Sequence, residues 1–288
     1  MKQKALCLSI AIFLLCSFAS CKYGFYMFEF EEDSVNERSH SVTAIAPPDI
    51  NGSSVYSFIV ITDPHFGASE KRHDDEFINW FSAQLDADDA MKPRFMVCLG
   101  DTMDSGNSSG ANDYNEFCAK LKLIAEEKSG IKFTAHSILG NHDLYNNGWE
   151  VWQRKIYPHV SYYKFAINKI SYYFLDSANG SLGQKQLKNL ESQLAADSNP
   201  KIIFSHYAIY AGGILYFTIQ DTLERNRLIS DFARNNVQFV FAGHAHTNHS
   251  SNTGFEERVT ASYLYSRAFR LVTVNEETGA ISESLLHF

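Results

Sequence analysis

The chain has 288 residues, 45% of them hydrophobic, which suits one large domain or two small ones and excludes a disordered polymer. Its formal net charge of −8 argues against tight, nonspecific binding to a nucleic-acid backbone. Acidity does not exclude nucleotides or other phosphate esters, because bound cations reverse the sign locally.

The first residues, MKQKALCLSIAIFLLCSFASC, place Lys2 and Lys4 ahead of an apolar run, with Ala19 and Ser20 just before Cys21. The run is short for a bilayer span and reads as an export signal over residues 1–20. FASC resembles a bacterial lipoprotein signal, although Phe18 stands where leucine is usual. That resemblance implies a mature chain beginning at a lipidated Cys21, anchored to a membrane of the bacterial cell envelope. A plain cleaved signal and an uncleaved anchor are the alternatives. Cys98 and Cys118 are the cysteines left in the mature domain. Cys98 reads as a buried thiol, and a disulfide to Cys118 is compatible with export without being required.

Residues 21–55 read as a tether or N-terminal extension. FYMFEFEED alternates too loosely to separate an edge strand from a tether, and APPDINGSS is linker-like. From residue 56 to 288 the pattern is that of one domain. YSFIVIT, RFMVCLG and KFTAHSILG are continuous apolar runs of strand length, separated by helical spacing in DEFINWFSAQLDADD and NEFCAKLKLIAEE. SYYKFAI and ISYYFLD fit a hairpin turning at Asn168-Lys169. GQKQLKNLESQLAA is an amphipathic helix with Leu187, Leu190 and Leu194 on one face, followed by KIIFSH, a helix near TLERNRLISDFARN, and VQFVFAG. RVTASYLY, AFRLVTV and AISESLLHF look like strands. The order predicts an α/β fold, a sandwich of sheets with helices outside.

Each apolar run ends in residue types that bind metals. Asp63 and His65 follow the first, Asp101 and Asp104 the second, Asn141, His142 and Asp143 the third. His206 ends KIIFS, and His244 and His246 follow Gly243 after FVFA. Singly, each cluster is explained as well by a turn or a helix cap. Five such clusters at strand ends are not, because strand ends are where a sheet presents its working groups.

In order, these clusters are similar to the calcineurin-like metallophosphoesterase superfamily, whose pattern is D-x-H, G-D-x-x-D, G-N-H-[DE], H and G-H-x-H. The resemblance implies a β-sandwich of two mixed sheets flanked by helices. It implies that Asp63, His65 and His246 hold one metal, that Asn141, His206 and His244 hold a second, and that Asp101 bridges both. It implies that a hydroxide between the metals attacks a phosphate mono- or diester. His142 would stabilise the transition state or protonate the leaving oxygen. Asp104 would orient His142, with Asp143 as the rival for that role or a cap, and Gly243 would permit a tight turn. Imidazole and carboxylate donors without thiolate suit Mn, Fe or Zn, and two cations roughly 3.5–4 Å apart can clamp an in-line displacement.

Asp104 stands where the purple acid phosphatase branch has tyrosine, and Ser105 where the protein serine/threonine phosphatase branch has arginine; both branches are disfavoured. The stretch LDSANGSLGQKQLKNLESQL resembles bacterial phosphomonoesterases and phosphodiesterases, including cyclic-nucleotide phosphodiesterases. A surface lipoprotein that keeps the fold for binding after catalysis has lapsed is the alternative, and a metal-sequestering protein a third. The expected partners are a small phosphate-ester substrate and a membrane reached through the lipid anchor, with no stable nucleic-acid polymer. YAGGILYF is the expected pocket rim, His249 a residue that could reach substrate, and His73, His136 and His159 surface or core residues.

Overall fold

The computed structural model of the chain describes residues 31–213 and 217–288. The export signal and Cys21 lie outside these residues. In chain order the strands are β1 (Thr43–Ala44), β2 (Val55–Ile61), β3 (Pro93–Cys98), β4 (Thr134–Ser137), β5 (Tyr163–Ile167), β6 (Ile170–Phe174), β7 (Lys201–Ser205), β8 (Val237–Ala242), β9 (His249–Asn252), β10 (Glu256–Val259), β11 (Ala268–Asn275) and β12 (Ala280–His287). The α-helices are α1 (Glu31–Arg38), α2 (Asp74–Gln84), α3 (Ser108–Ser129), α4 (Gly148–Lys155), α5 (Gly183–Ala196), α6 (Thr222–Arg234) and α7 (Tyr263–Ser266).

Two mixed sheets result. The five-stranded sheet has the order β12-β11-β2-β3-β4, and the seven-stranded sheet the order β1-β5-β6-β7-β8-β10-β9. β2, β3 and β4 run parallel, as do β6, β7 and β8. Parallel strands covered on both faces need apolar side chains at every position, which explains the unbroken runs. The two-residue period then sorts them. Phe58, Val60, Phe95 and Val97 share a core with Tyr172, Phe174, Phe204 and Phe241 of the other sheet. Their neighbours Ile59, Ile61, Met96 and Cys98 pack instead with Phe77, Phe81 and Leu121 of the outer helices. Leu187, Leu190 and Leu194 of α5 join Tyr173, Ile203 and Val240 on the far side. Aromatic pairs fill the layer between the sheets, with ring centroids 4.7 Å apart for Phe58–Phe95 and for Phe174–Phe204. Each such pair adds about 0.5–1.5 kcal/mol beyond its area burial.

Local chemistry sets the ends of the outer helices. The Asn107 side chain accepts the Gly110 N–H at 2.9 Å to start α3, and Gly130, with φ +63°, ends it. Upstream of the sandwich, α1 lies on α5, where Arg38 grips Asp176 with Nε–Oδ2 2.6 Å and Nη2–Oδ1 3.0 Å. β1 then pairs with β5 at the sheet edge.

Two details differ from the sequence reading, and a third, which it left open, is decided. RVTASYLY is not one strand: β10 stops at Val259, and the Ser262 hydroxyl accepts the Tyr265 N–H at 3.2 Å to begin the short helix α7. Helices α1 and α4 and strand β9 were not anticipated. Cys98 and Cys118 are both free thiols.

Candidate metal centre

Because β2, β3, β4, β7 and β8 are aligned, the loops after them meet at one edge of the sandwich. Asp63, His65, Asp101, His244 and His246 all have left-handed backbones, with φ of 52°, 43°, 50°, 63° and 53°. For non-glycine residues this costs about 1–2 kcal/mol each. Main-chain bonds between loops hold the conformation: Asp63 N–H to Gly100 O at 3.2 Å, His65 N–H to Asp101 O at 3.0 Å, and Gly243 N–H to His206 O at 3.0 Å. Gly243 opens the tight turn anticipated, its carbonyl accepting the Ala245 N–H at 2.7 Å. It does not have a left-handed backbone, but a Cβ there would lie 1.9 Å from Thr62 Oγ1. Only glycine lets the β8 loop approach β2 so closely.

Two sets of donor atoms face each other across Asp101. Asp63, His65, Asp101 and His246 each place one ligand atom within 4.8 Å of the others. His246 Nε2 is 3.2 Å from Asp63 Oδ1 and 3.5 Å from His65 Nε2, which lies 3.8 Å from Asp101 Oδ2. On the other side, His206 Nε2 is 3.1 Å from Asn141 Oδ1 and 3.6 Å from the same Asp101 Oδ2. The His244 ring stands 5.1 Å from that of His206, and its backbone N–H donates to Asp63 Oδ2 at 3.1 Å.

These residues fit metal ions. Among the described residues Asp63 Oδ1 and His65 Nδ1 find no well-formed hydrogen bond although both are buried, a costly state for polar atoms unless a cation satisfies the cluster. His206 Nδ1 lies 2.7 Å from Leu99 O; a carbonyl only accepts, so Nδ1 carries the proton and Nε2 offers a lone pair to the cluster. Burial drives His65 down to about 4 and His244 to about 3, so both rings are neutral donors at pH 7. Burial, reinforced by the charges of Asp63 and Asp143, raises Asp101 well above the carboxylate range. Burial opposes ionisation of Asp63 too, yet the approach of His246 Nε2 to Oδ1 at 3.2 Å and the surrounding histidines hold it below its ordinary value. Together these groups form a buried oxygen and nitrogen donor set in which Asp63 and Asp101 cannot both ionise readily without a cation between them.

A model of the calcineurin-like phosphoesterase family matches residues 56–248, more than half of the chain. The chain belongs to this family. A relative from Fibrobacter succinogenes (strain ATCC 19169 / S85), described as a probable cyclic nucleotide phosphodiesterase, is 23% identical over 194 residues, spanning 65% of this chain and 71% of its own. Two solved structures share the fold. A dimetal phosphatase from Danio rerio superposes with a TM-score of 0.57 at 13% identity, covering 81% of this chain and 99% of its own. A 5′-nucleotidase from Candida albicans SC5314 gives 0.54 at 12%, covering 86% and 53%. The protein is therefore a metal-dependent phosphoesterase.

In this phosphoesterase His142 stands beside the donor cluster, its ring 4.6 Å from that of His65. Its backbone N–H donates to Asp101 Oδ1 at 2.8 Å, and its Nδ1 donates to the main-chain carbonyl of Asp104 at 2.8 Å. Orientation thus comes from the Asp104 carbonyl, while the Asp104 carboxylate is 3.9 Å from Nδ1 and 3.6 Å from His65 Nδ1. Asp143 does not orient His142. Its buried carboxylate accepts from Thr102 Oγ1 at 2.6 Å, Met103 N–H at 2.8 Å and Gly140 N–H at 2.9 Å, tying the β3 loop to the β4 loop.

Aromatic rings surround the cluster. Tyr207 stacks on His244 at 3.9 Å between centroids, and Phe217, from the expected rim, lies 6.0 Å from the same ring. The Tyr145 hydroxyl accepts from Asn141 Nδ2 at 3.1 Å. Tyr265 stacks on His246 at 5.3 Å. Sequence reading passed over Tyr145, Tyr207 and Tyr265. Proximity to ligand motifs marked the first two, and Ser262 as a helix cap was the signal for the third. His249 packs against Gly212, whose Cβ would fall 2.3 Å from its Nε2. His73 pairs with Glu76, His159 Nδ1 meets the Gln153 carbonyl at 3.0 Å, and His136 is buried.

Proposed function

We propose that the chain is an exported hydrolase of phosphate mono- or diesters that uses two metal ions. In this reading Asp63, His65 and His246 hold one cation, Asn141, His206 and His244 the other, and Asp101 both. The observation that carries it is the position of Asp101 Oδ2, 3.8 Å from His65 Nε2 and 3.6 Å from His206 Nε2, between the two donor sets. Cations bound there supply Lewis acidity at the phosphoryl oxygens and acidify the attacking water. Mn, Fe and Zn suit the donor types.

The remaining steps belong to the chain's own residues. His142, its Nδ1–H fixed on the Asp104 carbonyl, has Nε2 free to hold a proton for the leaving oxygen. Asp143 keeps the Asp101 and His142 loops in register. Tyr145 holds the Asn141 amide so that its oxygen faces His206.

Elemental analysis of the reconstituted protein should find roughly two metal ions per chain. Asp101→Asn should lower occupancy of both sites together. Retention of one full site in that variant would show that Asp101 serves only one. An ester panel on the reconstituted chain should give turnover; full metal content without turnover on any mono- or diester would favour the lapsed, binding-only alternative.

The basic Lys2 and Lys4, the short apolar run and the small residues before Cys21 support export and lipid anchoring. Several acyl chains hold a domain firmly at a membrane surface, where one would not. Cys21→Ser should abolish lipid labelling and release activity from the membrane fraction. Equal retention by variant and wild type would point to an uncleaved anchor.

A further inference from the structure

The segment misread as a strand bears on which esters fit the site. Helix α7 is fastened to the metal-binding loop itself: the Ser262 hydroxyl donates to Asp63 O at 3.0 Å, and Tyr263 N–H to Thr62 O at 2.8 Å. Tyr263 is buried, with its ring 5.3 Å from Phe77 and 4.8 Å from Phe288 and its hydroxyl 3.1 Å from Asp74 Oδ1. This mount leaves little freedom to the next turn. Tyr265, two residues on, is 51% exposed and stands at the mouth of a site in which four of the seven ligands, Asp63, His65, Asp101 and His206, are buried. One face of its ring lies on His246, at 5.3 Å and an interplanar angle of 28°.

The decisive relation is with His142. The rings of His142 and Tyr265 both border His65, at 4.6 Å and 5.8 Å. The residue suited to protonate the leaving oxygen and the exposed tyrosine therefore both adjoin the His65 flank of the cluster, rather than the His206 side. A leaving group that takes its proton from His142 departs along that flank, beside Tyr265. A flat, half-exposed ring with one face open is a good partner for another flat ring.

We propose that Tyr265 is a specificity-determining residue that stacks on a planar leaving group, a nucleobase or an aryl ring, of the phosphate ester. The proposal rests on the reading of the site as a phosphoester hydrolase with His142 on the leaving-group side. The rival role for Tyr265 is to brace the His246 ring, with no contact to substrate.

The test uses phosphonates, which bind without being hydrolysed. Phenylphosphonate, methylphosphonate and the methylene phosphonate analogue of adenosine monophosphate are titrated calorimetrically into the metal-loaded chain, its Tyr265→Phe and its Tyr265→Leu variants. Wild type should prefer phenylphosphonate to methylphosphonate by about fivefold, the order expected from one stacked pair. Tyr265→Phe should keep that preference and Tyr265→Leu should abolish it. A larger loss for the adenosine analogue than for phenylphosphonate assigns a nucleoside ester, and the reverse an aryl ester. No phenyl preference in wild type, a preference that survives in Tyr265→Leu, or equal weakening of all ligands in that variant would each overturn the proposal. Hydrolysis itself is read by the ester panel, so failure of either idea is recognisable separately.

Discussion

The layer between the sheets and the loops that end its strands sit side by side in the chain but obey opposite rules. Phe58 and Val60 of β2 lie in an apolar, fully buried layer. A few residues later Asp63 and His65 are equally buried, yet they are polar, left-handed in backbone and carry atoms without well-formed hydrogen bonds. One region is relaxed and supplies stability. The other spends stability to hold donor atoms in a conformation that is unfavourable until a cation arrives.

Replacing His142 should separate the two regions most sharply. His142→Asn should lower turnover by roughly two to four powers of ten, the range for losing acid–base catalysis. Metal content and unfolding midpoint should change little, because the hydrogen bond to Asp101 comes from the His142 main chain. Loss of metal on elemental analysis would make His142 a ligand instead.

The mirror experiment is in the core. Phe58 touches Phe95, Tyr172, Phe204 and Phe241, with centroids 4.7, 6.1, 6.1 and 6.4 Å away. Phe58→Ala should cost about 3–5 kcal/mol of unfolding free energy in denaturant titration, the range for a large cavity in a packed interior. The variant molecules that remain folded should turn over substrate at the wild-type rate. A large fall in rate per folded molecule would mean that the sandwich tunes the loops rather than merely carrying them.

Cation loading tests the strain in the loops directly. At a free cation concentration a hundredfold above its dissociation constant, one bound ion should stabilise the chain by about 2.7 kcal/mol, measured as a shift in unfolding midpoint. Asp63→Asn should show a smaller shift, since it removes the charge on the carboxylate whose Oδ1 lacks a well-formed hydrogen bond. An unchanged shift would remove Asp63 from the ligand set.

How far the sequence revealed this arrangement depended on how local each signal is. The β2 and β3 runs announce themselves because both faces are covered, and the polar residues that follow are confined to their strand ends by chain connectivity. Their spacing could be read from the chain, whereas the division of labour around His142 could not. Asp104 acts through its carbonyl and Asp143 through four bonds to neighbouring loops, and neither choice leaves a mark on residue type. Tyr265 was hidden for another reason. Val259, Tyr263 and Tyr265 favour strands by propensity, and only the Ser262 cap and the docking on Thr62 and Asp63 turn the chain into a helix.

His136 lies between the two regions in character, a polar ring inside the aromatic layer, and gives the smallest effect. It sits on β4 opposite Val97, is 1% exposed, and has Phe165, Tyr157, Phe95 and Phe174 around it at 5.0, 5.4, 6.0 and 6.0 Å. Its Nε2 lies 3.2 Å from Thr134 Oγ1, and its Nδ1 has no hydrogen-bond partner among the described residues. Burial alone lowers its pKa from 6.5 to about 3. Between these values the unfolded chain binds a proton that the folded chain refuses, so the stability from a neutral His136 is complete above pH 6.5 and is lost as pH falls toward 3. From pH 7 to pH 5 the loss from this ring is about 2 kcal/mol. The buried histidines of the metal site add similar losses when no cation is bound, so denaturant titrations of wild type and His136→Gln are compared with the cations present. The variant should start less stable at pH 7, through its altered packing, and should lose about 2 kcal/mol less than wild type on going to pH 5. Parallel losses in the two proteins would show that His136 is already protonated, or already exposed, in the folded state.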